Sequence, residues 1–241
     1  MNHARILVTT LLLANAALGG AQAAPSCRVD ASAASPTVVE LYTSEGCSSC
    51  PPADKWLSTL KGRPDVLALA FHVNYWDRLG WVDRYASVEG TDRQRDLANQ
   101  SGSSQVYTPQ VIVNGRDWRI WPKLPAAAAP SPVEISLARD GDTVTARITA
   151  SKSGMPRLAG YWAVLEDNHQ TQVRAGENSG ETLKHDHVVR LYRPVAAWAA
   201  GAGTQLELKV SRGDPAFPRR VVFVVTDAGS AKPLQAATLS C

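Results

Sequence analysis

Cys47 and Cys50, in the run Gly46-Cys47-Ser48-Ser49-Cys50-Pro51-Pro52, are the residues whose types and spacing most directly imply chemistry. Two cysteines at i and i+3 in a first helical turn can close a disulfide with little movement. Unpaired backbone N–H groups and the positive end of the helix dipole stabilise a thiolate at that place. A lowered thiol pKa puts more of the sulfur in its nucleophilic form. Pro51 and Pro52 lack an N–H and are tolerated at a helix start, so they hold the cysteines at the N-terminal end. This order of events makes Cys47 the exposed, attacking thiol and Cys50 the buried resolving one. A structural zinc site needs a second Cys/His pair at ligand spacing. There is no second C-x-x-C, and His185-Asp186-His187 reads as a solvated turn or strand. The pattern therefore favours a redox pair over a static disulfide, and either over a metal. No metal and no cofactor is expected.

The other two of the four cysteines, Cys27 and Cys241, stand far from this motif. Four cysteines allow three connectivities. The simplest joins neighbours and ends: Cys47 with Cys50, and Cys27 with Cys241 as a structural bridge. Closing so long a loop removes roughly 5 kcal/mol of unfolded-state entropy in the simple chain model. Disulfides belong to oxidising compartments. The N-terminus agrees: Arg5, the apolar run Ile6–Leu18 and Ala21-Gln22-Ala23 read as a signal peptide over 1–23. An exported chain, periplasmic or secreted, is expected, with no membrane span in the mature part. Of 25 Lys and Arg only Arg5 leaves with the signal, against 22 Asp and Glu. The surplus is too small, and Lys/Arg clustering too sparse, to imply nucleic acid.

The elements that must position the cysteines follow. Val38–Tyr42 reads as a strand, Asp54–Leu60 as a helix, Val66–Val73 as a strand buried on both faces and Ser87–Gln100 as a helix. Gln110–Val113 is a strand, and Asn114-Gly115 a hairpin turn leading to Asp117–Trp121. This β-α-β-α-β-β order predicts an α/β sheet domain over 24–122. Pro122, Pro125, Pro130 and Pro132 flank an alanine run, and 123–132 reads as a linker. Short strands separated by turns follow over 133–241: Val133–Ala138, Thr143–Ala150, Tyr161–Glu166, Thr171–Ala175, Val188–Tyr192, Leu206–Val210, Val221–Thr226 and Ala236–Ser240. They suggest a small all-β, sandwich-like domain.

A strand, a C-x-x-C at a helix start, a β-α connection and then Thr108-Pro109 before a strand and hairpin resembles the thioredoxin superfamily. That resemblance implies a cis Pro109 against the disulfide and a Thr108 backbone free to pair with a substrate strand. The runs Val39–Asp54, His72–Trp81, Tyr107–Gln110 and Gly176-Glu177-Asn178 resemble more closely the signature of a family of secreted bacterial proteins of unknown function. That family pairs a thioredoxin-like domain with an all-β part; a final helix after the hairpin is weak or missing here. Tyr75, Trp76 and Trp81 lie after the central strand, at the carboxyl edge where open α/β sheets place function. Trp76 could bind an extended peptide there, or these rings could pack as a local core. Glu40, seven residues before Cys47, is a weaker candidate to accept the Cys50 proton. The combined reading is an exported thiol-disulfide oxidoreductase acting on protein or peptide thiols with an unidentified redox partner. The alternative is a non-catalytic binding module with a static disulfide.

Overall fold

The computed structural model describes residues 27–125, 130–150, 157–201 and 203–241. The signal peptide and the alanine run 126–129 lie outside the described residues. The first strand, β1 (Arg28–Ala31), leads to β2 (Thr37–Thr43), α1 (Pro51–Ser58) and β3 (Val66–His72). Next come a 3-10 turn (Asp77–Leu79), α2 (Val88–Gln100), β4 (Gln110–Val113) and β5 (Arg116–Asp117). The remaining described elements are all strands: β6 (Val133–Asp140), β7 (Thr143–Ala150), β8 (Leu158–Glu166), β9 (His169–Gln172), β10 (Thr182–His185), β11 (Val188–Trp198), β12 (Thr204–Lys209), β13 (Arg219–Asp227) and β14 (Pro233–Leu239).

The expected α/β thioredoxin-like domain followed by a separate all-β domain is overturned. Among the described residues 46% are strand and 12% helix, with two α-helices. One eight-stranded sheet runs β14-β13-β8-β11-β3-β2-β4-β5 and takes strands from both halves of the chain. β3 pairs in parallel with β2 on one side and with the start of β11, at Val188, on the other. The backbone N–H of Ala70 donates to the His187 carbonyl at 2.8 Å and closes this join. The physical reason lies in β8 and β13, which are buried on both faces. Trp162, Val164, Val221 and Phe223 face a core shared with the second sheet, β1-β6-β7-β12. Tyr161, Leu165, Val222 and Val224 face the other way, into the core under α2. Strands with apolar residues on both sides suit the interior of a large sheet as well as a sandwich.

The helices lie on opposite faces. Ala53, Trp56 and Leu57 of α1 pack with Val39, Leu41, Ala68 and Ala70. Leu97 of α2 packs with Val38, Tyr42, Leu69 and Phe71. Ser87 caps α2, its side chain accepting from the Gly90 N–H at 3.0 Å. Asn114, at φ 49°, and Gly115, at φ 79°, make the β4–β5 turn, as Asn-Gly requires. Beyond it β5 has two residues instead of the strand expected to Trp121.

Glu40 is placed by this alternation. It points with Val38 and Tyr42 to the α2 face, away from α1. There its carboxylate accepts from Arg93 Nη2 at 2.5 Å and Nε at 3.0 Å, and from the Tyr42 and Tyr161 hydroxyls at 2.7 and 3.0 Å. The Arg93 guanidinium lies 4.2 Å from the Tyr161 ring centre. Glu40 is thus the anchor of a buried ion pair and not a proton acceptor for Cys50.

Candidate redox site

Thr43 and His72 end the parallel strands β2 and β3 side by side. The segment Ser44–Cys50 turns out of β2 at this carboxyl edge and enters α1. Cys50 occupies the N-cap, and Pro51 and Pro52 open the helix. Cys47 and Cys50 are bonded, with Cα atoms 5.5 Å apart. Cys27 and Cys241 are bonded too, 214 residues apart in the chain. Cys50 N–H donates to the Cys47 carbonyl at 3.2 Å, and Ala53 N–H to that of Cys50 at 2.9 Å.

The expected exposure of Cys47 is corrected. Both Cys47 and Cys50 are 0% exposed, although Ser48 and Ser49 between them face solvent. The loop that carries them is tied to the turn between β9 and β10. Asn178 Nδ2 donates to the carbonyls of Glu45 (2.8 Å) and Cys47 (3.0 Å). Glu177 accepts the Ser48 N–H at 3.0 Å. A donor that the sequence leaves free for a thiolate is therefore held by a carboxylate, which this bond keeps below the ordinary glutamate pKa. Gly176 has φ +73° and packs against Trp81, where a Cβ would come within 3.2 Å of that side chain. Both the positive φ and the close approach favour glycine.

Trp76 sits against Gly46, where an added Cβ would lie 3.1 Å from the Trp76 Cβ. Its Nε1 donates to Thr108 Oγ1 at 2.8 Å. The Thr108–Pro109 bond is cis. Cys47, Trp76 and Thr108 are thus gathered at one edge, with Pro109 following Thr108 into β4. Trp81 turns elsewhere: its Nε1 donates to Glu45 Oε2 at 2.8 Å.

Beneath the disulfide loop lies a buried cluster of titratable side chains. His185 Nε2 is 3.2 Å from Glu45 Oε1, and His72 Nδ1 is 2.6 Å from Asp83 Oδ2. The two imidazoles meet edge-to-face with centroids 4.9 Å apart. Asp54, one turn after Cys50 in α1, accepts from Thr43 Oγ1 at 3.0 Å. Burial raises the Asp54 pKa, against the pull of His185 and His72. Burial also works against a charged His72, but the Asp83 carboxylate outweighs it and the His72 pKa rises. Two buried nitrogens, His72 Nε2 and His185 Nδ1, have no hydrogen-bond partner among the described residues. A cleft of about 520 Å3 opens beside this cluster, lined by Ser48, Pro51, Asp54, Lys55, Asn178 and His185. Among the described residues no group of three or more His, Cys, Asp or Glu is arranged to hold a metal ion. No described helix is long and apolar enough to cross a membrane.

Glu45, Asp54, Asp83, His185, Glu177 and Asn178 escape sequence assignment, although most lie in or near quoted motifs. His185-Asp186-His187 is not a solvated turn: His185 and His187 are 3% and 2% exposed. Burial, then the charge of Arg220, lowers the His187 pKa to about 4. Its unfolded value is about 6.5. Above that value neither state is protonated at this site. As pH falls from about 6.5 towards 4 the unfolded chain takes the proton and the folded one does not, so stability drops. The expected loss by pH 4.5 is about 2–3 kcal/mol more for the parent than for His187→Gln. Urea unfolding at pH 7 and 4.5 measures it; equal losses in both proteins would refute the assignment.

No curated protein matches the chain. A crystal structure of an Agrobacterium tumefaciens protein, a structural-genomics target, aligns with TM-score 0.65 and 28% identity, covering 86% of this chain and 94% of that one. HBP35 of Porphyromonas gingivalis aligns with TM-score 0.57 and 17% identity, covering 86% of this chain and 75% of that one, a likeness of fold alone. A family model matches residues 38–226, a span that holds the Cys47–Cys50 loop, its Gly176–Asn178 cover and the cluster beneath: the chain belongs to the DUF1223 family of proteins of unknown function.

Proposed function

We propose that this protein is an exported thiol-disulfide oxidoreductase that works through Cys47 and Cys50 on protein or peptide thiols. The observation that carries the reading is a C-x-x-C disulfide closed at a helix start, whose loop and first turn carry buried Glu45 and Asp54, with His185 hydrogen-bonded to Glu45 and His72 against His185. Reducing a disulfide to two thiols takes up two electrons and two protons. A substrate thiolate attacks Cys47, forms a mixed disulfide and releases Cys50 as a thiolate. Asp54, with its raised pKa, is placed one turn away to hold or return a proton. A second substrate thiolate then attacks its own half of the mixed disulfide and frees Cys47. The substrate leaves oxidised, and the Cys47–Cys50 dithiol is reoxidised by an unidentified disulfide partner. Run backwards, the same steps reduce a substrate, and the potential decides the direction. Thr108 and Trp76 would flank the bound chain. The two disulfides support an oxidising compartment. The likeness to thioredoxins that bears on function is local: strand, C-x-x-C and helix start.

A second reading, a binding module with a static disulfide, is favoured by one observation, the complete burial of both sulfurs. One experiment separates the two. Cys50→Ser is expected to accumulate a mixed disulfide with a cysteine-containing peptide, and Cys47→Ser is not. No adduct with either variant, under conditions that open the Asn178 turn, favours the static reading. Trapping through Cys50 alone reverses the order of attack.

A further inference from the structure

A second cleft, of about 370 Å3, opens where β13 begins, and its lining includes Arg139, Arg212, Gly213, Asp214, Arg219 and Arg220. Four arginines line it beside one acidic side chain, Asp214, and beside Ser240 and Cys241. Arg219 and Arg220 have counter-ions: Glu166, at 2.5 Å, and Asp167, at 2.9 Å. Glu166 is already shared with Arg190 and His169. Asp214 is engaged by the Ala216 N–H at 2.8 Å. Arg139 donates only to carbonyls, those of Val210 at 3.0 Å and Gly141 at 3.4 Å. Among the described residues neither Arg139 nor Arg212 forms an ion pair. Burial and then the charge of Arg212 depress the Arg139 pKa, against the pull of Asp142. Arg139 and Arg212 are thus like charges brought together with no ion-pair partner of their own, an arrangement that an added anion would relieve.

The site is built. Arg219 lies flat on Gly213, whose added Cβ would fall 2.6 Å from Arg219 Nε and 2.7 Å from its Cζ. Gly213 also has φ +85°. Any other residue would both strain the backbone and displace the guanidinium. Ser211 clamps the same group through its carbonyl and hydroxyl, each 3.1 Å from Nη1. At the rim, the Arg139 N–H donates to the Cys27 carbonyl at 2.9 Å, so the Cys27–Cys241 bridge braces the cleft wall.

We propose that this cleft binds a phosphate-type dianion between Arg139 and Arg212, with Arg219 behind it. Planar guanidinium forks match the oxygens of a phosphoryl group and can bond it in pairs. The cleft has more room than one phosphate fills, which suits a phosphoryl group carried on a small alcohol. The test uses the full chain. Titration calorimetry with sodium phosphate and with glycerol phosphate is compared at constant ionic strength, with sodium chloride as the blank. Saturable binding is expected, weakened at least tenfold by Arg139→Met and by Arg212→Gln. Arg212 is exposed, so its substitution leaves the fold intact and keeps the test valid if Arg139→Met unfolds. Tighter binding of glycerol phosphate assigns the spare room to the alcohol; equal binding assigns the site to free phosphate. Heat no greater than the chloride blank, or affinity unchanged in Arg212→Gln, overturns the proposal.

Discussion

Arg93→Met is expected to destabilise the fold by about 3–5 kcal/mol, because it strands the Glu40 carboxylate in the core without its cation. Glu40 is 2% and Arg93 9% exposed. The pair is bidentate and lies among Tyr42, Tyr161 and Tyr192, the last accepting from Arg93 Nη1 at 2.9 Å. The aromatic face adds to the loss, since the guanidinium also sits over Phe71, 5.6 Å from its centre. Removing one partner of a buried pair leaves the desolvation cost of the other uncompensated, whereas removing both can be close to neutral. Glu40→Leu combined with Arg93→Met is therefore expected to recover most of the loss. Urea unfolding of both single variants and the double variant measures this. A double variant as unstable as the sum of the singles would show that the two side chains do not act as a pair.

The misplacement of Glu40 shows where sequence reasoning stops. Alternation along Val38–Tyr42 puts Glu40 on the face of Val38 and Tyr42, but which helix covers that face depends on the crossover, and nothing local encodes it. The C-x-x-C was legible because its geometry is local: i and i+3, with prolines at the helix start. Ser87–Gln100, Val66–Val73 and the Asn114-Gly115 turn were legible for the same reason. The continuous sheet was not. Pro122 to Pro132 has the composition of a linker whether the strands after it form their own domain or join β3 through His187 and Val188. The arginine cleft was hidden too, because Arg139 reaches Arg212, Arg219 and Arg220 only through the pairing of distant strands. Of the two motif cysteines, Cys50 is buried as expected and Cys47 is not exposed. The loop that carries Cys47 is held by Asn178, 131 residues on, a contact that no local pattern encodes.

That contact sets the second expectation: Asn178→Ala should speed reduction of the Cys47–Cys50 bond by dithiothreitol by about ten- to a hundredfold. A sulfur with no exposed surface reacts only when its surroundings open. Asn178 holds the loop by two hydrogen bonds from one amide group, each with a net contribution of about 0.5–1.5 kcal/mol. Their loss lowers the opening free energy by about 1–3 kcal/mol, and 1.4 kcal/mol is a factor of ten. The bared carbonyls of buried Glu45 and Cys47 go without a partner in the closed state and gain water on opening, so the cost falls on the closed state. Glu177→Gln should have a smaller effect. It keeps an oxygen for the Ser48 N–H and loses only the charge at a fully exposed position. Cys27–Cys241 is the internal control. It lies at the far arginine cleft, and its rate should not change. In the parent chain this bridge, half-buried at Cys27 and exposed at Cys241, should be alkylated before the fully buried Cys47–Cys50 pair after mild reduction, and in Asn178→Ala the order should move towards Cys47–Cys50. Mass mapping over a reduction time course reads both bonds in one sample. If Asn178→Ala leaves the Cys47–Cys50 rate where it was, the turn does not gate the disulfide. A substrate would then have to reach Cys47 from the Trp76–Thr108 side, by moving the loop that carries Trp76 instead of the β9–β10 turn.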